Sequence, residues 1–416
     1  MALRNTSVMR LLELADFKKN FLFILYIFFI LGFFFFPTSK LHSDFFYVAV
    51  LFPFLILVFM RKVDLRLFFS SRIFLLTTIF LFYMVATIFW AEQFVLSDLF
   101  KYGRRAFYVL IFVAVTIHLY RTYPNLLPRL LQLLCWAAVI AGIANIIFYY
   151  GQQPFPDARL MGYGRLENPI QASSIYGIAF IACVLFIIQQ GNVKAKLLYL
   201  AALLFMFSYM LLSQSRGPLI ALVVTMFVWG CIVLFRSKDV QSNYHITIFG
   251  VGLLVSVVGI ILFIAYPEFF QLFVSRGGGG VGYRLEIWGH FVAEAKNALW
   301  FGHGLNTNTH IVLSDGTAIQ NPHGFYVATL FYGGAIGLFL MLSMVASALW
   351  VGFVRARDPR GLALASMFLF GAICVVVDGY TLLQHPKPYW LFFLLPLALI
   401  AASELPNQTS RTNQVS

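Results

Sequence analysis

The sequence predicts an all-α, polytopic integral membrane protein with about twelve transmembrane helices and one large, partly helical external segment. Three observations carry that expectation. Of 416 residues, 61% are hydrophobic and 11% charged. The apolar residues come in long runs rather than at amphipathic spacing. One polar, glycine-rich stretch, from Pro267 to about Phe325, interrupts them late in the chain.

Runs long enough to cross roughly 30 Å of hydrocarbon, about 17 to 25 residues each, fall at 20–36, 44–60, 72–90, 104–120, 127–149, 170–190, 195–212, 218–235, 245–266, 325–353, 359–378 and 388–402. Lys18 and Lys19 precede the first run as they would in a signal peptide. The following PTSKLHSDFF has no small-x-small cleavage site, however, and another span begins at once, so the first run is expected to be a retained helix. Cys135, Cys183, Cys231 and Cys374 all lie in apolar spans at unrelated spacings, which indicates neither a disulfide framework nor a metal site.

Twelve spans put both termini on one side. With the amino end inside, the inner segments carry 18 of the 29 Lys and Arg, including the clusters Arg61-Lys62-Arg66 and Arg355-Arg357-Arg360, and the outer segments carry 11. The positive-inside rule therefore predicts cytoplasmic termini. The expected organisation is spans one to nine over 1–266, an external segment at 267–324, spans ten to twelve over 325–403, and a cytoplasmic tail at 404–416. A net charge of +13 suits an inner rim facing anionic lipid. It does not point to nucleic acid, because no basic stretch sits in a soluble recognition fold.

The outer cations run against this bias: Arg104, Arg105, Arg159, Arg165, Arg216, Arg276 and Arg284 fall on or near the external side. Arg159 and Arg276 read equally as solvated loop residues or headgroup contacts. Arg216 differs, since SQSRGPLIAL sets it in a connection of a few residues before a Gly-Pro helix start. A guanidinium there faces the bundle interior or a wet cleft, and boundary charges of that kind are functional candidates. In YGRLENPIQASS, Arg165 and Asn168 precede span six, where Asn168 serves either as a helix cap or as a substrate contact. FKYGRRAFY around Arg104 and Arg105 suits interfacial anchoring or phosphate binding.

Within the external segment, RGGGG at Arg276 to Gly280 reads as a connection and YRLEIWGHFVAEAKNALW as a helix of about four turns. Ile287, Phe291, Ala295 and Ala298 recur at helical spacing. Arg284 occupies the first turn, where the helix dipole does not favour a cation, which suggests a role other than helix stability. FGHGLNTNTH is turn-rich, its glycines allowing close backbone approach, and NPHGFY leads into span ten with His323 at the helix entrance. His323 reads as a helix-cap or interfacial histidine or as a chemical group, and His290, His303 and His310 compete with it. Tyr283, His303 and Asn321 stand as candidate substrate contacts in the same segment.

No H-x-x-x-H, D-x-D, P-loop, dinucleotide fingerprint or nucleophile elbow occurs. No metal or other cofactor is therefore expected.

The succession R-x-x-x-W at Arg284 to Trp288, F-G-H-G-L-N at Phe301 to Asn306, Pro322-His323, and Tyr332-Gly333-Gly334 with Gly337 resembles the O-antigen ligase and polymerase superfamily of bacterial lipopolysaccharide assembly. The chain departs from the family in one place: a glycine, Gly324, follows the histidine where Asn or Ser is common, and its asparagine, Asn321, comes before. The resemblance implies a periplasmic site at the inner membrane, with a donor polysaccharide carried on undecaprenyl diphosphate. In a ligase the acceptor is lipid A–core, and in a polymerase another lipid-linked repeat. It further implies a metal-independent glycosyltransferase with His323 as base and Arg284 and Arg216 stabilising the leaving diphosphate. Guanidinium forks match phosphate oxygens, and a neutral imidazole can take a hydroxyl proton near pH 7. The ligase is preferred because only one external segment is long. A transporter or flippase of lipid-linked oligosaccharide is the alternative from another class, but residues 1–210 and 211–416 show no matching repeat.

Overall fold

The structure is a computed structural model that describes residues 20–235, 250, 252, 281–309, 311–314, 316–355 and 358–405. Apart from one two-stranded hairpin its described elements are helices, and the chain is a polytopic all-α membrane protein. In chain order the main helices are α1 (Asn20–Phe35), α2 (Ser39–Phe59), α3 (Arg72–Trp90), α4 (Leu96–Thr122), α5 (Leu126–Tyr150), α6 (Pro169–Gln189), α7 (Val193–Leu212), α8 (Arg216–Phe235), α9 (Val281–Ala295), α10 (Phe325–Arg355), α11 (Pro359–Val377) and α12 (Trp390–Glu404). All but α9 coincide with expected spans. Among the described residues nine helices are long and apolar enough to cross a membrane, and α1 and α12 are shorter apolar helices. The expected ninth span, the glycine run, Arg276 and His310 lie outside the described residues.

Helix α6 is the hub. Buried residues make up 89% of its apolar window, against 33% for α2 and for α8, so its neighbours enclose it on nearly all sides. Small residues allow that enclosure. A Cβ added at Gly177 would sit 2.2 Å from the Phe370 ring of α11. The same device joins α11 to α12: Pro396 cannot donate to the Phe392 carbonyl, and Gly371 leaves room for that oxygen, which would lie 2.0 Å from an added Cβ.

At one end Glu404 closes the bundle, its Oε2 accepting from Ser71 Oγ at 2.6 Å and from the Ile73 amide at 3.1 Å, so the end of α12 caps the start of α3. The opposite end gathers the connections that follow α1, α3, α5, α7 and α11, together with α9 and its sequel. There Leu160 N–H donates to the Leu212 carbonyl at 2.9 Å, and Arg159 donates to Ser213 O at 2.9 Å and Ser215 Oγ at 3.1 Å. Arg159 therefore braces two connections.

Two elements differ from the sequence expectation. Helix α4 begins at Leu96 rather than near 104, so Arg104 and Arg105 lie two turns inside it, roughly 12 Å along the helix from its start. Helix α10 is broken at Gly334, whose backbone (φ 65, ψ −165) is not helical.

Candidate functional site

Helix α9 buries Ile287, Phe291 and Ala295 against α10, with the Phe291 and Phe331 rings 5.0 Å apart. The expected fourth member of that face, Ala298, falls in a 3₁₀ turn, Lys296–Ala298. Arg284 and Trp288 are four residues apart and so share one side of the helix. The Trp288 Nε1–H donates to the Pro322 carbonyl at 3.0 Å. The R-x-x-x-W spacing thus sets Arg284 one turn from the residue that holds the backbone of His323.

Two further features fix His323. Its backbone has φ 49, an uncommon conformation for a residue with a side chain, and the Asn321 Oδ1 accepts from its amide at 3.3 Å. Gly324 then passes against α11, where an added Cβ would lie 2.3 Å from the Val376 carbonyl. That approach accounts for glycine after the histidine, and it brings His323 to the end of α11, beside Asp378.

Asp378 was not evident from the sequence. It is half-buried just past the end of α11, and the Gln171 side chain and the Gly379 amide favour its charged form. Burial raises its pKa, while these donors, Arg284 and His323 oppose the rise. His323 is lowered from 6.5, first by burial and then by Arg284, with Asp378 pulling the other way. Arg284 is lowered by burial and supported by Asp378. Arg284 and Asp378 act on each other electrostatically. The corner holds a neutral imidazole between a cation and a carboxyl group.

A set of glycines holds the break in α10. At the break in α10 the Phe331 and Tyr332 carbonyls accept from His303 N at 2.9 Å and Gly304 N at 3.0 Å. Ala335 N and Ile336 N, their usual helical donors, instead donate to Leu299 O at 2.7 Å and Trp300 O at 3.2 Å. Four backbone groups freed by the break are therefore satisfied by residues 299–304, and the Gly333 carbonyl accepts from Tyr83 Oη at 2.7 Å. Gly302 (φ 73) meets Gly334 closely enough that an added Cβ would lie 2.4 Å from the Gly334 nitrogen. Gly304 (φ 86) lies likewise on Ala91 and Thr87.

The other sequence candidates divide. Arg165 lies in a 3₁₀ turn, Gly164–Leu166, only 5% exposed, with its Nε donating to His42 Nδ1 at 3.1 Å and its pKa pulled down to about 10 by burial. Arg105 is half-buried and lies 5.2 Å from the Tyr102 ring, while Arg104 is exposed. Both act on His385, from the connection between α11 and α12, which neither the sequence motifs nor the span pattern singled out. The clue lay in DGYTLLQHPKPYW, a polar stretch between two apolar runs. Arg216 opens α8, and its neighbour Gly217 packs on Val377, one residue before Asp378, where an added Cβ would lie 2.6 Å from Val377 Cγ2. Asn168 caps α6, its Oδ1 accepting from Ile170 N at 2.9 Å and Gln171 N at 3.4 Å.

Tyr283 is partly buried on the α9 face of the core. His303 stacks on Phe331 at 4.7 Å and bonds through Nε2 to the Glu294 carbonyl at 3.0 Å. It lines a separate cleft of about 480 Å³ with Trp90, Glu92, Thr309 and Phe331, away from Arg284, His323 and Asp378. Among the described residues no three His, Cys, Asp or Glu side chains are grouped as metal ligands would be.

Residues 201–342 match the family model described as O-antigen ligase, a span that takes in Arg216, Arg284, His323 and the meeting glycines. The chain is 28% identical over 360 residues to an O-antigen ligase of Pseudomonas aeruginosa, covering 86% of this chain and 84% of that protein. The chain is thus similar to an O-antigen ligase over most of its length, and to the O-antigen ligase family model over residues 201–342.

Proposed function

We propose that the protein is an O-antigen ligase, transferring a polysaccharide from undecaprenyl diphosphate to lipid A–core at the periplasmic face of the bacterial inner membrane, with both termini cytoplasmic. The observation that carries this reading is the convergence of Arg284, His323 and Asp378 in one half-buried corner. The relative from Pseudomonas aeruginosa supports a ligase over a polymerase.

In the proposed step an acceptor hydroxyl oxygen attacks the anomeric carbon while its proton passes to His323. The bond from that carbon to the diphosphate breaks, and the electron pair leaves with the diphosphate. Arg284, with Arg216, stabilises the developing charge without a metal. The imidazole is neutral before the step because burial and Arg284 lower its pKa, and Asp378 stabilises the imidazolium formed in it. Direct displacement inverts the anomeric centre.

The test is the glycolipid profile of a deletion strain complemented with His323→Ala. Lipid A–core without polymer, together with accumulated long lipid-linked chains, is the expected outcome. Full capping by His323→Ala would sink the assignment of the base. Single-repeat products in the deletion strain would instead make the protein a polymerase.

A further inference from the structure

Beside the His323 corner lies a second concentration of positive charge that the proposed chemistry does not use. Gly164 (φ 58) sets the Arg165 turn directly on the connection between α1 and α2, an added Cβ lying 2.3 Å from the Phe36 carbonyl. His42 bonds through Nε2 to the Phe29 carbonyl at 2.9 Å. A carbonyl only accepts, so Nε2 carries the hydrogen and Nδ1 receives the Arg165 Nε–H. The guanidinium is thereby fixed in orientation, and its Nη2 is buried without a hydrogen-bond partner. The Nε of Arg105 is likewise buried and without a partner.

Lys387 and His385 reach the same place from the connection between α11 and α12. Tyr47 Oη and His385 Nδ1 are 2.6 Å apart. After burial, the groups lowering Lys387 are Arg165 and Arg105, and those lowering His385 are Arg105, Arg104, Arg165 and Lys387. Among the described residues the carboxyl group acting on Lys387 is Asp378, which is already shared with Arg284 and His323. Asp98, which acts on Tyr102, is engaged by Lys101 at 3.3 Å and Asn306 at 2.7 Å. Buried charges are ordinarily paired, and like charges held together destabilise one another. Two guanidiniums with free N–H donors and an ammonium acting on the same ground suit an anion with several oxygens.

We propose that Arg105, Arg165 and Lys387 form a second anion site, next to the Arg284–His323 corner but separate from it, which takes a phosphate ester of a membrane-borne substrate. That the substrate is membrane-borne rests on the transfer reaction proposed above, whereas the anion site does not depend on it. The phosphate ester is one carried on the acceptor glycolipid, since the donor diphosphate is placed at Arg284 and Arg216.

The test uses the purified full chain in phosphatidylcholine nanodiscs and two probes, farnesyl diphosphate and a bisphosphorylated diglucosamine lipid. Arg165→Gln and Lys387→Gln should each weaken binding of the diglucosamine lipid by about tenfold or more, while Lys296→Gln, at an exposed lysine, leaves its affinity unchanged. Loss on the diglucosamine lipid with farnesyl diphosphate unaffected supports the site, and loss on farnesyl diphosphate alone overturns it. Should Arg165→Gln fail to fold, Lys387→Gln, on a connection between helices, carries the test. Unchanged affinity for both probes in variants with wild-type thermal unfolding overturns the proposal. Probe binding by a wild-type protein that transfers no sugar would remove the ligase reading and leave the anion site standing.

Discussion

The indole of Trp288 donates to the carbonyl of Pro322 at 3.0 Å, one residue before His323. A single side chain thus couples the helix carrying Arg284 to the turn carrying the imidazole.

Trp288→Phe keeps the ring packing and removes that bond. Neutral hydrogen bonds contribute about 0.5–1.5 kcal/mol net. Transfer should fall by up to about tenfold with little change in thermal unfolding, read by comparing initial rates with melting curves of the same preparation.

Arg284→Lys retains the charge but loses the fork. Charge-assisted bonds are worth about 1.5–3 kcal/mol, so transfer should drop roughly ten- to hundredfold. A lysine variant with wild-type rates would show that charge alone suffices.

The activity of the wild type should depend on pH through His323. Its pKa is lowered from 6.5, so the base is neutral at pH 7, and activity is lost only on acidification below 6.5. Asp378 raises the His323 pKa. Asp378→Asn should therefore move the acid limb to still lower pH, besides slowing transfer. A limb that stays fixed in the variant would remove Asp378 from any electrostatic role on the imidazole.

Gly334→Ala places a side chain at φ 65 with its Cβ 2.4 Å from the Trp300 carbonyl. Both the conformation and the clash are with backbone, and a cost of about 1–3 kcal/mol is expected. Gly333→Ala meets the end of the Met84 side chain at 2.8 Å, which can move. The first variant should melt well below the second.

Asn168→Ala should cost about 1 kcal/mol of stability through the lost cap while leaving transfer per folded molecule unchanged. Loss of transfer at full stability would return Asn168 to the substrate.

Much of the fold was legible because a bilayer accepts few structures: with no water to satisfy the backbone, long apolar runs become helices. The boundary errors have the same origin. The expected fourth span began at 104, yet α4 starts at Leu96 and runs on through Asp98, Lys101, Arg104 and Arg105, because charge limits what enters hydrocarbon and not where a helix begins. Gly334 looked like a helix residue, and its break is made possible by residues 299–304, about thirty positions earlier, which supply the missing backbone partners.

The site was half visible. Arg284 and His323 stood out through motif and charge, but Asp378, His385 and Lys387 lie in DGYTLLQHPKPYW, where no spacing rule marks them. His303 attracted notice by composition, whereas the fold engages it with Glu294 and Phe331.

The sequence alone determined that this is a multi-span helical membrane protein with a polar segment carrying Arg284, Trp288 and His323, because hydropathy and short-range helical spacing are local properties. Only the tertiary structure decided which polar groups meet. Asp378 reaches His323 through Gly324 and the end of α11, and Lys387 reaches Arg165 and Arg105 across the bundle. Those meetings depend on close backbone approach at glycines and on helix packing between segments far apart in the chain, and no local pattern encodes them.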